Sequence, residues 1–351
     1  MVRGRSRRKK KGLGAAGVLF VLFLLAAMAI AAAAWLIFLP AGVEKETFVE
    51  IAPRSSSAQI AVQLEQAGVI RSRYAFDLVR LWKRGTLKAG EYRFDHPEPA
   101  TDVYARIVRG DVFTLAVTIP EGATRFDVAS RVAQAGFLEF SKEDFLAVTV
   151  SESPLVADLD PHAHSLEGYL FPDTYRFPRK ATAEQMVTTM VRRFRSVATQ
   201  LSLIPNNGQS MHSIVTLASL VERETAVNAE RPLVASVLTN RLAKSMPLMT
   251  DPAVIYGLEV EGKWRGAIYE TDLSRDTPYN TYRHTGLPPG PICNPGLPSL
   301  KAALHPAATD YLYFVAAGAD PQGKSRFATT LEEHNKNVAS YRHAVKQAGG
   351  R

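Results

Sequence analysis

The chain has 351 residues, 46% of them hydrophobic and 22% charged, the balance of a folded protein with two or three cores rather than of a disordered one. Its net charge of +8 invites a nucleic-acid reading, but the excess sits in one place: Arg3, Arg5, Arg7, Arg8, Lys9, Lys10 and Lys11 precede residue 12 with no acid among them. Without these seven, 35 basic residues face 34 acidic ones, so the body of the chain carries no charge that would select a polyanion, and no nucleic-acid partner is expected.

From Leu13 to Leu39 there is no charged residue. As a helix that span reaches about 40 Å, more than the ~30 Å of a bilayer's hydrocarbon core. The basic tail (1–12) before it and Glu44, Lys45 and Glu46 after it put the N-terminus in the cytoplasm. A cleaved signal peptide has an apolar region of roughly 7 to 15 residues, shorter than this one. The expectation is a single-pass inner-membrane helix over 13–39, with everything after residue 40 outside the cytoplasm. Cys293 is the only cysteine and cannot form an intramolecular disulfide. It reads as a small packed residue. His162 and His164 flank Ala163 near Asp160, a spacing better suited to a solvated loop than to a metal, and no cofactor motif stands out.

Next comes an internal repeat. Ile51, Ala61, Leu64, Gln66, Ala67 and Gly68 recur 68 positions later as Ile119, Ala129, Val132, Gln134, Ala135 and Gly136, and Tyr92-Arg93-Phe94 is echoed by Tyr175-Arg176-Phe177. Each unit reads as a strand (48–51; 114–119), an amphipathic helix (57–67; 125–135) stopped at glycine, and a second helix (73–83; 142–148). The expected fold class is α+β: the transmembrane helix, a LysM-like α/β module over 45–113, then a mixed α+β catalytic domain over 114–348. That domain divides into a second repeat unit (114–177) and a core (178–348). In the core, helices are expected over 183–201, 211–225 and 230–243, a turn at 205–208, a short helix capped by Ser299, a β-run over 311–316 and a terminal helix over 331–346. Five prolines and three glycines between 286 and 298 make a stiff, non-helical loop.

Glu222 and Glu224 close the helix over 211–225. Two positions apart, they cannot share a face. Ile214, Leu217, Ala218 and Val221 form the buried stripe, and periodicity leaves open which acid faces a cleft.

The run Ala218-Ser219-Leu220-Val221-Glu222-Arg223-Glu224-Thr225 resembles the YceG-like family. So do Thr250-Asp251-Pro252-Ala253-Val254-Ile255-Tyr256-Gly257, Tyr279-Asn280-Thr281-Tyr282, Gly286-Leu287-Pro288-Pro289-Gly290-Pro291-Ile292 and Tyr311-Leu312-Tyr313-Phe314-Val315-Ala316, together with the stretch from Glu167 to Tyr175. One departure is visible: Gly323-Lys324-Ser325-Arg326-Phe327 lacks the histidine that often precedes this phenylalanine in the family. The resemblance implies a lytic transglycosylase that cuts nascent peptidoglycan strands after an N-acetylmuramic residue and closes a 1,6-anhydro ring. It also implies that the first glutamate, Glu222, is catalytic, that no cofactor is needed, and that penicillin-binding synthases are partners. Ordinary glycosidases need two carboxylates. A lytic enzyme manages with one, because the sugar's own 6-hydroxyl is the nucleophile. Such an acid must keep its proton near neutral pH, which an apolar surround provides. Asn280, Tyr282, Thr250, Asp251 and Glu167 are candidate substrate contacts. The rival readings are a non-catalytic glycan-binding scaffold and a pyridoxal-phosphate lyase, the latter without any glycine-rich phosphate loop after a strand.

Overall fold

The structure is a computed structural model that describes residues 14–137, 140–203, 209–320 and 324–349. The basic tail, the turn expected at 205–208 and Gly323 lie outside these residues. The described chain is α+β and divides into two compact units, 1–114 and 115–351.

The first unit opens with α1 (Ala15–Phe38), whose segment Ala16–Phe38 has a mean hydropathy of 2.7 and is long and apolar enough to cross a membrane. After it come β1 (Thr47–Ile51), α2 (Ser57–Gln66), α3 (Arg73–Lys83), β2 (Gly90–Phe94) and α4 (Ala100–Arg109). β1 and β2 pair antiparallel with Val49 opposite Tyr92. Alternate residues Val49, Ile51, Tyr92 and Phe94 face inward and meet Ile60, Leu64, Phe76, Val79, Tyr104 and Ile107 from the helices. A capping box between Ser56 and Gln59 starts α2, and Gly68, at φ +73°, turns the chain out of it.

The second unit begins by building the same motif: β3 (Leu115–Thr118), α5 (Arg125–Gln134), α6 (Lys142–Ser151) and β4 (Thr174–Phe177). Val117 lies opposite Tyr175, Thr124 and Asp127 form the capping box, and Gly136 has φ +86°. The echoed Tyr-Arg-Phe is thus the returning strand in each case, so the repeat is a β-α-α-β unit rather than a strand and two helices.

The rest of the second unit is largely helical: α7 (Ala183–Gln200), α8 (Met211–Glu224), α9 (Arg231–Ala243), α10 (Asp251–Val260), α11 (Glu270–Leu273) and α12 (Leu297–Leu304). A hairpin of β5 (Tyr313–Ala316) and β6 (Ser325–Ala328), then α13 (Leu331–Gly349), complete it. α8 is the axis of this unit. Every residue from Ile214 to Val221 is buried, and α9, α10 and α12 pack around it. Ser299 does not cap α12. Gly296 holds that place, and Pro298 sits in the first turn, where its missing N–H costs nothing. Residues 251–257, for which no element was expected, are helical, again with a proline in the first turn.

Candidate functional site

α8 starts on a capping box between Ser210 and Ser213 and stays in the core until Val221. Its last turn emerges as Glu222, Arg223 and Glu224. This end of a helix carries the negative pole of the backbone dipole, so a carboxylate there needs either a cation or a proton. The two glutamates meet that demand in different ways.

Glu222 takes a cation. Arg231 donates from Nη2 to its Oε1 at 2.8 Å, and the Gly296 N–H donates to Oε2 at 2.9 Å. The side chains of both Glu222 and Arg231 are only 5% exposed. A second acid, Glu121, approaches Arg231 Nη1 at 3.7 Å, and its pKa is raised by burial and by the charge of Glu222, with Arg231 opposing. Gly296 is held so close that a Cβ there would lie 1.9 Å from Glu121 Oε1. Arg223 adds a bond to the Gly122 carbonyl at 3.2 Å. Glu222 therefore fastens α9 and the start of α12 to α8, and both its oxygens are engaged.

Glu224 holds its proton more tightly than an ordinary glutamate. Burial pushes its pKa up to about 7, with the Asp251 carboxylate adding to the rise and the Arg241 guanidinium opposing it. Asp251, exposed at the start of α10, accepts from the Tyr282 hydroxyl at 2.6 Å. Arg241 donates to the Leu312 carbonyl at 2.7 Å and the Leu248 carbonyl at 2.8 Å, and lies over the Tyr313 ring at 5.3 Å. His334 stacks on that same ring at 5.2 Å between centroids. One acid with a raised pKa, one exposed carboxylate, a tyrosine hydroxyl, a cation and an aromatic surface thus converge from α8, α10, the 279–282 turn, α9 and the β5 hairpin.

Other candidates serve the scaffold. Asn280 is fully buried, and its amide donates to the carbonyls of Leu273 at 2.9 Å and Arg275 at 2.6 Å while its oxygen accepts from the Tyr282 N–H at 3.0 Å. These bonds set the turn that carries Tyr282. Thr250 is buried against Thr281, accepting and donating through the Thr281 hydroxyl. Glu167, 2% exposed, accepts the Arg125 N–H on both oxygens and the Asn294 amide at 3.1 Å, and burial raises its pKa to about 8. Asn294 is itself fully buried, donating to the Ala123 carbonyl at 2.8 Å and accepting from the Leu170 N–H at 2.9 Å. Cys293 beside it is buried and free, as a packed residue.

Arg231, Arg241 and Glu121 escaped the sequence reading. Nothing in periodicity distinguishes an arginine that pairs inward from one on a solvated face. His162 and His164 are exposed on a loop, as expected; the His162 backbone N–H donates to Asp160, which also pairs with the Tyr169 hydroxyl and with His212. Among the described residues no group of His, Cys, Asp and Glu could hold a metal ion.

The sequence profile of the YceG-like family matches residues 49–340. The endolytic murein transglycosylase of Bacillus subtilis (strain 168) is 37% identical over 310 residues, 84% of each chain. The protein of the same name from Streptococcus pneumoniae (strain D39) is 30% identical over 86% of this chain and 60% of its own length. A 2.6 Å crystal structure of a YceG-like protein from Listeria monocytogenes is 35% identical, with a TM-score of 0.53 over 84% of this chain and 99% of that one.

Proposed function

Because this chain belongs to the YceG-like family, we propose that it is an endolytic murein transglycosylase anchored by α1 in the inner membrane, with Glu224 rather than Glu222 as its acid and base. The observation that carries the assignment is the contrast between the two acids: one lies in a buried ion pair, and the other, its pKa raised by burial to about 7, lies beside Asp251, Tyr282 and Arg241.

The reaction needs one carboxyl. Glu224 donates its proton to the oxygen linking N-acetylmuramic acid to N-acetylglucosamine, the bond from the anomeric carbon to that oxygen breaks, and positive charge builds on the anomeric carbon. The carboxylate left behind stabilises that charge and then takes the proton from the sugar's 6-hydroxyl. The 6-oxygen closes on the anomeric carbon, giving the 1,6-anhydro end without water and restoring the acid. Asp251 keeps the glutamate protonated before the first step, since a neighbouring negative charge disfavours its ionisation. Tyr282, aimed by Asn280, and the Tyr313–His334 stack offer a hydroxyl and an apolar face to an acetamido sugar. The β-α-α-β module of the first unit is read as LysM-like and as a second hold on the strand. The resemblance also favours penicillin-binding synthases as partners.

The test is product analysis of peptidoglycan strands incubated with the full chain in detergent. Anhydro-ended fragments are expected from the wild type. Glu224→Gln should lose roughly 10² to 10⁴ in rate, the size of a general acid–base contribution. Full activity in Glu224→Gln, with loss in a folded Glu222→Gln, would return the role to Glu222. Strand binding without anhydro products from the wild type would leave a scaffold.

A further inference from the structure

α3 is apolar on two sides. Ala75, Phe76 and Val79 face the core of the first unit. Tyr74, Leu78, Leu81 and Trp82 make a second stripe at helical spacing, each at least half exposed. Four exposed large apolar side chains in one helix of eleven residues need an explanation in a domain surrounded by water. Basic residues border the stripe. Between 71 and 84 stand Arg71, Arg73, Arg80, Lys83 and Arg84 against one acid, Asp77.

The position of α3 supplies the explanation. α1 packs against α3 and α4, and Ile37 reaches the core of this unit. Arg71, two residues before α3, donates to the carbonyls of Leu39 at 3.3 Å and Pro40 at 2.8 Å, and its guanidinium lies 4.5 Å over the Trp35 ring. The last turn of the apolar helix is thereby pinned beside the start of α3. A helix that leaves the bilayer at Trp35–Leu39 holds α3 at the depth of the lipid headgroups. Tryptophan and tyrosine concentrate at that depth, and a helix with an apolar stripe and basic borders binds there.

We propose that the outer face of α3 lies in the outer surface of the bilayer, with Leu78, Leu81 and Trp82 among the acyl-chain ends and the arginines on anionic headgroups. This rests on the reading of α1 as a membrane span. The module then rests on the membrane along a helix instead of hanging from a tether, and this second contact fixes which way it faces.

The full chain is reconstituted in vesicles of phosphatidylethanolamine and phosphatidylglycerol containing lipid brominated near the middle of the acyl chain. Trp35→Phe with Trp264→Phe leaves Trp82 as the only fluorophore, and Trp82→Phe with Trp264→Phe leaves Trp35. Both should be quenched by bromolipid, each roughly two-fold or more, with blue-shifted emission, as expected of interfacial indoles. In the Trp82 reporter, Leu78→Glu with Leu81→Glu should abolish the quenching. Quenching of Trp35 but not of Trp82 overturns the proposal and leaves the anchor standing. Absence of quenching at both overturns the two together. Shielding of Trp82 that grows with protein density and not with bromolipid assigns the face to a second copy and also overturns the proposal.

Discussion

Glu222 and Glu224 are two residues apart on one helix and face opposite problems. On one side α8 meets Arg231, Gly296 and Glu121, a buried ion pair with a second acid beside it. On the other it meets Asp251, Tyr282 and Arg241, around a glutamate whose pKa is raised by burial and by the Asp251 charge. The same helix end thus yields a fastening and, in the mechanism proposed above, a reagent.

The sharpest break of this comparison is the pair of glutamine variants. In Glu224→Gln, release of anhydro ends should fall by roughly 10² to 10⁴. In Glu222→Gln the larger change should be in stability, a loss of about 3–5 kcal/mol in denaturant titration, because Arg231 is left buried without its partner. The two variants should also move stability in opposite directions. The pKa of Glu224 rises from 4.5 to about 7 on folding, so its contribution to stability is full below pH 4.5 and is lost as pH rises through about 7. Glu224→Gln removes that penalty and should be more stable than the wild type at pH 8 by about 1–3 kcal/mol, with little difference at pH 4. Asp251→Asn takes away a charge that holds the proton on Glu224. The alkaline limb of the pH–activity profile should then shift to lower pH, by up to about one unit. The smallest effect is expected from Gly296→Ala. The new methyl collides with Glu121, but that side chain is 46% exposed and can swing outward, so about 1 kcal/mol or less should be lost in thermal unfolding, with activity retained.

Much of the scaffold was legible because it is local. Hydrophobic period and glycine stops gave α2, α3, α5 and α7 to within a residue or so, and the repeat appeared as matched positions before either sheet existed. α12 and β6 were misplaced or missed for want of local signals. A glycine cap has no side chain to read, and a four-residue strand exists only because β5 lies opposite it. Within the site, periodicity narrowed the choice to two acids, and only the family resemblance selected one of them, Glu222. Which face of α8 meets an arginine depends on where α9 lands, and Arg231 and Arg241 are identical letters with different fates. That Asn280 and Glu167 are buried and bond inward could not be read from the sequence either, because polar residues in a motif look alike whichever way they bond.

Asn294 bears on how the second unit comes to exist at all. It satisfies Leu170, Glu167 and Ala123 across 124, 127 and 171 positions of chain. During synthesis the first β-α-α-β unit can close soon after its returning strand appears, since everything it needs is already made. Its twin in the second unit must wait with the Ala123 carbonyl and the Leu170 N–H lacking the Asn294 amide until the chain beyond α11 arrives. Long-range closure of this kind is slow to nucleate. The enzyme should therefore mature in two kinetic stages, and a chain interrupted between residues 114 and 294 should present an early module that is native and a second unit that proteases can still clear.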